Sequence, residues 1–281
     1  MEVQLSEERV LRLVPQLTLD DARILVENKK VHLVAGTVGA LFTRPKPEEI
    51  TLSYSELRYE PFWQVTACTH MVYERQRMFT VSASGPEVKQ ITLLGQQQPT
   101  QPQPKGSPTI VLSGVEHCEE DQRLRRMFTG DGTNKQDLER YLSFGSEEVI
   151  DLASYSWDGA CMPPDTKAGA IIRQVITEIV RPVKAQVIHT ENVSVEEIQL
   201  FFRPVYAFEY LWAAKNKRVV IECDGLTRDL TNGGKTFKKQ IKSLLDRDLL
   251  FDISADAVGT FVPGGGIFVK LTKAAMNFKQ S

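Results

Sequence analysis

The sequence lacks any long hydrophobic run, since no window approaches the roughly 18 continuous apolar residues that a membrane-spanning helix requires. The chain begins MEVQLSEE, an acidic start that is followed by no apolar h-region. Such a start argues against a secretory leader. We therefore expect a protein of the cytoplasm that does not span a membrane.

Cysteine is scarce, with four residues at Cys68, Cys118, Cys161 and Cys223. They lie far apart and form no C-x-x-C pair of the kind found in redox or zinc motifs. In a reducing compartment, cysteines at such spacing are expected to remain free thiols.

Catalytic signatures are missing as well, because the sequence contains no G-x-S-x-G, H-E-x-x-H or dinucleotide-binding glycine pattern. The formal net charge is −2, whereas dedicated nucleic-acid-binding domains are strongly basic. This balance argues against nucleic acid as a partner. No cofactor is predicted.

What is present is the composition of an ordinary globular protein, with 42% hydrophobic and 25% charged residues. At 281 residues the chain is long for one domain, so we predict two α+β units, residues 1–158 and 159–281. Residues 95–108, rich in proline and glutamine, are too polar to be buried. They form either an interdomain linker or, as the flanking β-branched residues favour, a flexible loop between two strands.

One pattern occurs twice along the chain. Residues 48–63 contain Glu-Glu-Ile followed by a stretch from tyrosine to tryptophan, and residues 196–212 repeat that order. A duplicated β unit explains both copies. The repeat therefore predicts an architecture built on two related strands.

Apolar spacing predicts the helices. It is clearest over residues 171–180, where isoleucine and valine recur at the 3.6-residue period. Thr18 and Asp21 resemble a capping box at the start of a further helix. We also predict a helix over residues 6–14 and a helical tail over residues 249–276.

The remaining apolar segments favour strands. Residues 31–42 predict two short strands joined by a glycine turn. Alternating residues after Ile50 predict strands that continue to Leu94, and Pro61 indicates an edge position or a new start. Together these elements predict an α+β protein with antiparallel sheets packed by helices and a C-terminal helical segment.

Four aromatic side chains, Tyr206, Phe208, Tyr210 and Trp212, fall on one face of a predicted strand. One interpretation is a core face covered by the helix at residues 171–180, since aromatic residues contribute much of the buried area of cores. The other is an exposed platform for a ligand or partner.

Four lysines, Lys235, Lys238, Lys239 and Lys242, fall on one side of a predicted amphipathic helix. A basic helix of this kind can bind an anionic membrane surface or an acidic partner. The alternative is an ordinary solvated face.

Two residue sets have metal-ligating chemistry. Cys68 and His70 share a strand face, and His117 with Cys118 would complete a Cys₂His₂ zinc set if a neighbouring strand brought them close. Adjacent residues on a regular strand point to opposite faces, which argues against this set.

The second set is Asp248, Asp252 and Asp256, which line one stripe if the tail is helical. Like charges at this spacing repel unless a cation or partner offsets them. The stripe therefore suggests a divalent metal, a basic partner or simple exposure to solvent.

Two functional hypotheses follow from these patterns. The first is a non-enzymatic interaction or scaffold protein of the cytoplasm, acting on a protein partner or a second subunit through the apolar tail and a β surface. The alternative is a metal-dependent hydrolase or transferase that uses the aspartate stripe. A small-molecule sensor with a pocket between helix and sheet fits the same patterns.

Overall fold

The computed structural model describes residues 2–43, 46–232, 246–253 and 270–273. Its strands are β1 (Glu2–Leu5), β2 (Glu8–Leu13), β3 (Ile50–Ser82), β4 (Gln90–Leu93), β5 (Gln96–Pro99), β6 (Thr109–Thr129), β7 (Ser146–Glu148), β8 (Ala160–Cys161), β9 (Val187–Trp212), β10 (Lys217–Asp224), β11 (Leu230–Asn232) and β12 (Lys270–Lys273). The helices are α1 (Leu19–Glu27), α2 (Lys30–Thr43), α3 (Ala168–Ile179) and α4 (Arg247–Leu250), with 3₁₀ turns at Pro47–Glu49, Gln136–Ser143 and Ala213–Lys215. The protein is an α+β protein.

Ten of these strands join one sheet, and β4 pairs with β5 in a separate hairpin. The long strands β3 and β9 run antiparallel at the centre, with β6 beyond β3 and β10 beyond β9. The predicted antiparallel sheet is corrected to a mixed sheet, because β1 and β2 lie parallel to β9 and β8 lies parallel to β3.

Pro61 lies within the central strand β3 rather than at an edge or a strand start. The pairing of β3 with β8 ends at Tyr59, and its pairing with β6 begins at Phe62. Pro61 therefore lies between the end of β8 and the start of β6, where β3 has no paired strand on that side among the described residues. Its missing N–H interrupts no hydrogen bonds between strands there.

The two copies of the repeated pattern lie in β3 and β9, and they pair with each other. Ile50 at the start of one copy faces Trp212 at the end of the other, and Trp63 faces Leu200. Both stretches thus form the same kind of element, while the duplication itself stays a prediction. The division into two domains also stays a prediction. The pairing of β3 with β9 joins one strand from residues 1–158 to one from residues 159–281.

The helix predictions had mixed outcomes. The capping box of Thr18 and Asp21 begins α1, and α3 forms where the apolar period is clearest. Residues 8–13 are a strand instead of a helix, because they pair with β9 on one side and β7 on the other. Residues 31–42 lie in a helix, α2, rather than in two strands, with a break at Gly36 (φ 73°).

The segment 95–108 lies in the connection between β3 and β6. The hairpin of β4 and β5 occupies part of it, and Gln101 pairs with Thr109. It is therefore a loop between two paired strands of one sheet, as the flanking residues predicted. The partner of residues 109–112 is β3 rather than residues 91–94.

One face of the sheet carries two hydrophobic clusters. The first surrounds Trp63 and Phe202 and is covered by α3, while the second contains Tyr210 and Trp212 and is covered by α1 and α2. A third cluster lies on the opposite face, where the 3₁₀ turn Gln136–Ser143 packs over the sheet. This turn stands over one end of a large cavity.

The C-terminal segment departs from the predicted helical tail. In the described part, α4 is one turn long and β12 is a strand that pairs with β1. The other tail residues lie outside the described ranges. None of the helices in those ranges combines the length and apolarity needed to cross a bilayer.

Candidate functional site

The aromatic row of β9 is buried. Tyr206, Phe208, Tyr210 and Trp212 are between 0% and 5% exposed and belong to the cluster beneath α1 and α2. The Tyr206 hydroxyl donates to the backbone oxygen of Leu17, and the Tyr210 hydroxyl donates to Glu27 Oε1 at 2.8 Å. The row is therefore part of the core and offers no exposed platform. Its covering helices are α1 and α2, not the helix at residues 171–180.

The basic and acidic stripes of the tail are only partly described. Lys235, Lys238, Lys239 and Lys242 lie outside the described residues, as does Asp256. Helix α4 ends at Leu250, so Asp252 is not on the same helix as Asp248. Within the described residues, Asp248 and Asp252 therefore do not line one helical stripe.

The Cys₂His₂ set, which strand geometry argued against, does not assemble. His117 lies opposite Glu74 and Cys118 opposite Tyr73, three or more positions along β3 from His70. Instead, His70 Nδ1 lies 2.8 Å from Asp121 Oδ1, and Glu119 is on the same face. The ligand atoms of these three residues lie within 4.8 Å of one another, but Asp121 is 73% exposed. This open cluster resembles an ordinary surface ion pair.

A cavity of about 760 Å³ lies on the sheet face opposite α3. Small-molecule sites typically enclose roughly 300–1,000 Å³, so the cavity has the size of a ligand pocket. Its floor is formed by β3, β9 and β10, and its wall by the 3₁₀ turn over Gln136–Ser143. Loops after β6 and β8 complete the mouth, and the apolar lining includes Phe62, Leu138, Met162, Pro163 and Val205.

Arg203 is the central charged group of the floor. Its guanidinium donates to Glu60 Oε2 at 2.7 Å and to Asp224 Oδ2 at 2.6 Å. The Tyr141 hydroxyl donates to the same Asp224 oxygen. Behind this group, the buried Arg58 pairs with Glu222 and lies 3.4 Å from Glu60 Oε1. Two arginines thus hold three carboxylates in fixed positions.

The electrostatics of the floor follow from burial and pairing. Burial opposes charge on Asp224, but hydrogen bonds from Tyr141 and the Thr227 N–H, together with Arg203, hold the pKa of Asp224 below its usual value. Burial also opposes the charge of Arg203, yet Glu60, Tyr141 and Asp224 outweigh it and raise the pKa of Arg203. Both groups are therefore charged at neutral pH.

Two tight turns border the cavity in similar ways. A Cβ at Gly130 would lie 2.7 Å from Pro61 Cγ, and a Cβ at Gly225 would lie 3.0 Å from the Pro204 oxygen. Each turn approaches a proline of a central strand so closely that only glycine fits without a shift. The turns hold Asp131 and Asp224, which accept from backbone N–H groups two residues later, at Thr133 and Leu226.

The charges around the cavity are unequal. Its described lining residues include seven carboxylates, namely Glu60, Asp131, Asp137, Asp165, Glu222, Asp224 and Asp229, and three cations, Lys135, Arg140 and Arg203. The floor residues are buried or half-buried, whereas Asp131, Asp137, Asp165 and Asp229 are exposed at the mouth. Such an arrangement can bind and orient a polar molecule.

Sequence reasoning missed these residues. They come from six separate segments, and no two of them form a recognised motif. One sequence signal could have pointed to part of the site. An Asp-Gly pair occurs at residues 131–132 and again at residues 224–225, and both aspartates line the cavity.

Comparisons of the chain with protein-family models, with curated proteins and with solved structures found no match.

Proposed function

We propose that the protein is a non-enzymatic binding protein that holds a small organic molecule in the cavity between the sheet and the Gln136–Ser143 turn. The observation that carries this proposal is the buried network of Arg203, Glu60, Asp224 and Tyr141 on the floor of a ligand-sized cavity. Burying charges is unfavourable, and a hydrophobic floor of the same shape is often equally stable. A fixed array of charges beside open space is therefore better explained by ligand recognition than by stability.

The shape of the cavity supports the same function. The half-buried Met162, Pro163 and Leu230 supply apolar surface, and the paired side chains of the floor supply hydrogen-bonding groups in fixed positions. Pockets that combine a mainly apolar lining with a few convergent polar groups are typical of small-molecule sites. The pocket lies between a helical turn and the sheet.

Filling the mouth of the cavity tests the proposal. We expect compounds from a panel of small organic molecules of differing charge to raise the melting temperature of the wild-type protein. Thr231→Trp should abolish that increase, because Thr231 is exposed on the cavity rim and an indole there occupies the space of the ligand. The matched control is Thr51→Trp, since Thr51 is another exposed strand threonine but does not line the cavity. If Thr231→Trp responds to the compounds as the wild type does, the ligand does not bind in this cavity.

A second candidate function, self-association, is favoured by the arm formed where β3 and β6 extend beyond β9. Met78 is 62% exposed there, and Phe79 and Val81 are each 40% exposed. The pairing of β3 with β9 ends at Glu74, so the next residues of β3 form a sheet edge in the described structure. Exposed apolar edges are pairing templates. In an antiparallel pairing of residues 77–82 with a second copy, Arg77 faces Ser82 and Met78 faces Val81. No two like charges therefore face each other across the pair.

This candidate predicts that the wild-type protein is a dimer and that Met78→Glu is a monomer, as measured by size-exclusion chromatography with light scattering. In the proposed pairing the new carboxylate would lie beside the apolar Val81 of the second copy, with no basic residue opposite it, and charged residues at a sheet edge disfavour pairing. Thr51→Glu, outside the arm, should remain dimeric. A monomeric wild-type protein would remove the self-association candidate and leave the cavity proposal intact.

A further inference from the structure

We infer that the ligand of the cavity is an organic cation, an amine or guanidinium compound with an apolar body, bound with its charge at the acidic mouth and its body against Met162, Pro163 and Leu230. This inference rests on the proposed function. It depends on three features of the cavity: its charge balance, the pairing state of its cations and the position of Asp165.

The charge balance favours a positive ligand. Among the described lining residues, carboxylates outnumber cations by seven to three. A low-dielectric cleft lined by one sign of charge concentrates ligands of the opposite sign. Counting Arg58 behind the floor lowers the excess but does not change its sign.

Each cation of the described lining already lies close to a carboxylate. Arg203 is held between Glu60 and Asp224, and Arg140 Nη2 lies 3.1 Å from Asp229 Oδ2 while its guanidinium covers the Tyr141 ring. Lys135 Nζ lies 3.9 Å from Asp137 Oδ2. An anionic ligand would have to compete with these carboxylates for each cation, whereas a cationic ligand would not.

Asp165 is the carboxylate best placed to receive a new cation. Its backbone N–H donates to the Gly130 oxygen at 2.8 Å, which fixes it at the mouth beside Asp131. Across the ranges that the structure describes, the side chain of Asp165 makes no hydrogen bond or ion pair. A ligand ammonium or guanidinium can therefore bind it without breaking an existing contact.

The lining also sets the shape of the ligand. Phe62 and Leu138 are almost fully buried in the hydrophobic cluster of this face. The apolar surface that stays open to the cavity comes mainly from the half-buried Met162, Pro163 and Leu230. A bare metal ion or a small inorganic cation would leave this apolar surface in contact with water. An amine carried on an apolar body covers it and gains from its burial.

Three probes that share one body test the charge of the ligand. Isothermal titration calorimetry of the full chain with 4-phenylbutylamine, 4-phenylbutanol and 4-phenylbutyrate compares a cation, a neutral molecule and an anion. We expect the amine to bind at least about tenfold more tightly than either other probe, the difference that one charge-assisted hydrogen bond supplies. Asp165→Asn should weaken amine binding about tenfold and leave alcohol binding unchanged. Asp121→Asn, an exposed aspartate away from the cavity, is the matched control and should change neither.

The outcomes separate this inference from the proposed function. Equal binding of amine and alcohol, or tighter binding of the acid, overturns the cationic ligand while binding in the cavity stands, provided that Thr231→Trp abolishes it. If amine binding survives Asp165→Asn unchanged, the assigned position of the charge is wrong. If none of the three probes binds, the inference fails, and a negative result with the broader panel then removes the proposed function too.

Discussion

Replacing Trp63 with alanine should lower the free energy of unfolding by about 3–5 kcal/mol, the cost typical of removing a large aromatic side chain from a core. Trp63 is fully buried, and its ring meets Phe251 edge-on at a centroid distance of 5.3 Å. Its Nε1 donates to the Thr166 oxygen at 3.2 Å. The residue therefore joins β3 to the segment that leads into α3, and alanine would leave both a cavity and an unpaired carbonyl.

Urea denaturation of the two proteins measures this loss. Trp63→Phe, which keeps most of the ring volume but not the N–H, should lose less than Trp63→Ala. Ile24→Ala is a suitable control because Ile24 is 60% exposed on α1, and surface changes usually stay within about 0.5 kcal/mol. A loss below about 1 kcal/mol for Trp63→Ala would contradict the packing of α3 over this face of the sheet.

Replacing Arg203 with methionine should lower the free energy of unfolding by about 3–5 kcal/mol at neutral pH. The variant would leave the half-buried Glu60 and the buried Asp224 charged but without the guanidinium that pairs with both of them. Arg203→Lys keeps one charge and should lose less, although it cannot donate to both carboxylates in the same fork geometry. The matched control is Arg218→Met, whose ion pair with Glu209 is exposed at the arginine and should contribute about 0–1 kcal/mol.

The effect of Arg203→Met should depend on pH in a defined direction. In the wild type the folded pKa of Asp224 is lowered, so its stabilising contribution is present above the unfolded pKa of 3.8 and is lost as the pH falls through the folded value. Without the guanidinium, the pKa of Asp224 rises and the carboxyl is neutralised at a higher pH. The difference in stability between wild type and variant should therefore narrow on acidification. A difference that stays constant down to acidic pH would show that Arg203 acts through packing rather than through its charge.

The parts of the fold that follow from local sequence were predictable. The capping box at Thr18 fixes the start of α1, and the apolar period over residues 171–180 fixes α3, because both signals depend on neighbours within a few residues. The strand character of β3 and β9 follows from their alternation. For the aromatic row of β9, the sequence allowed either a buried core face or an exposed platform. The structure shows the core face, because α1 and α2 cover the row.

The errors arose where tertiary pairing overrides local preference. Residues 8–13 have the apolar spacing of a short helix but are held as a strand by hydrogen bonds to β9 and β7. Residues 31–42 are rich in β-branched residues yet form α2, where Val34 is buried against the second cluster. In both cases the competing structure depends on residues far away in sequence, which a local pattern does not contain.

The candidate site was the least predictable part. Glu60, Tyr141, Arg203 and Asp224 lie on four different elements, and each looks like an ordinary surface residue in its own segment. Only the antiparallel register, which places Glu60 opposite Arg203, brings them together. The same register explains why the Cys₂His₂ set does not form, since it places His117 opposite Glu74 and Cys118 opposite Tyr73, away from Cys68 and His70.

The most direct test of ligand binding in the cavity is a titration followed by NMR of methyl-labelled methionine. The chain has six methionines. Met162, after β8, lines the cavity, whereas Met71 and Met78 lie on β3 and do not line it. Adding 4-phenylbutylamine, or the tightest compound of the wider panel, should shift the Met162 signal in a saturable manner and leave those of Met71 and Met78 unchanged. Shifts at Met71 or Met78 with none at Met162 would place the ligand outside the cavity and contradict the proposed function.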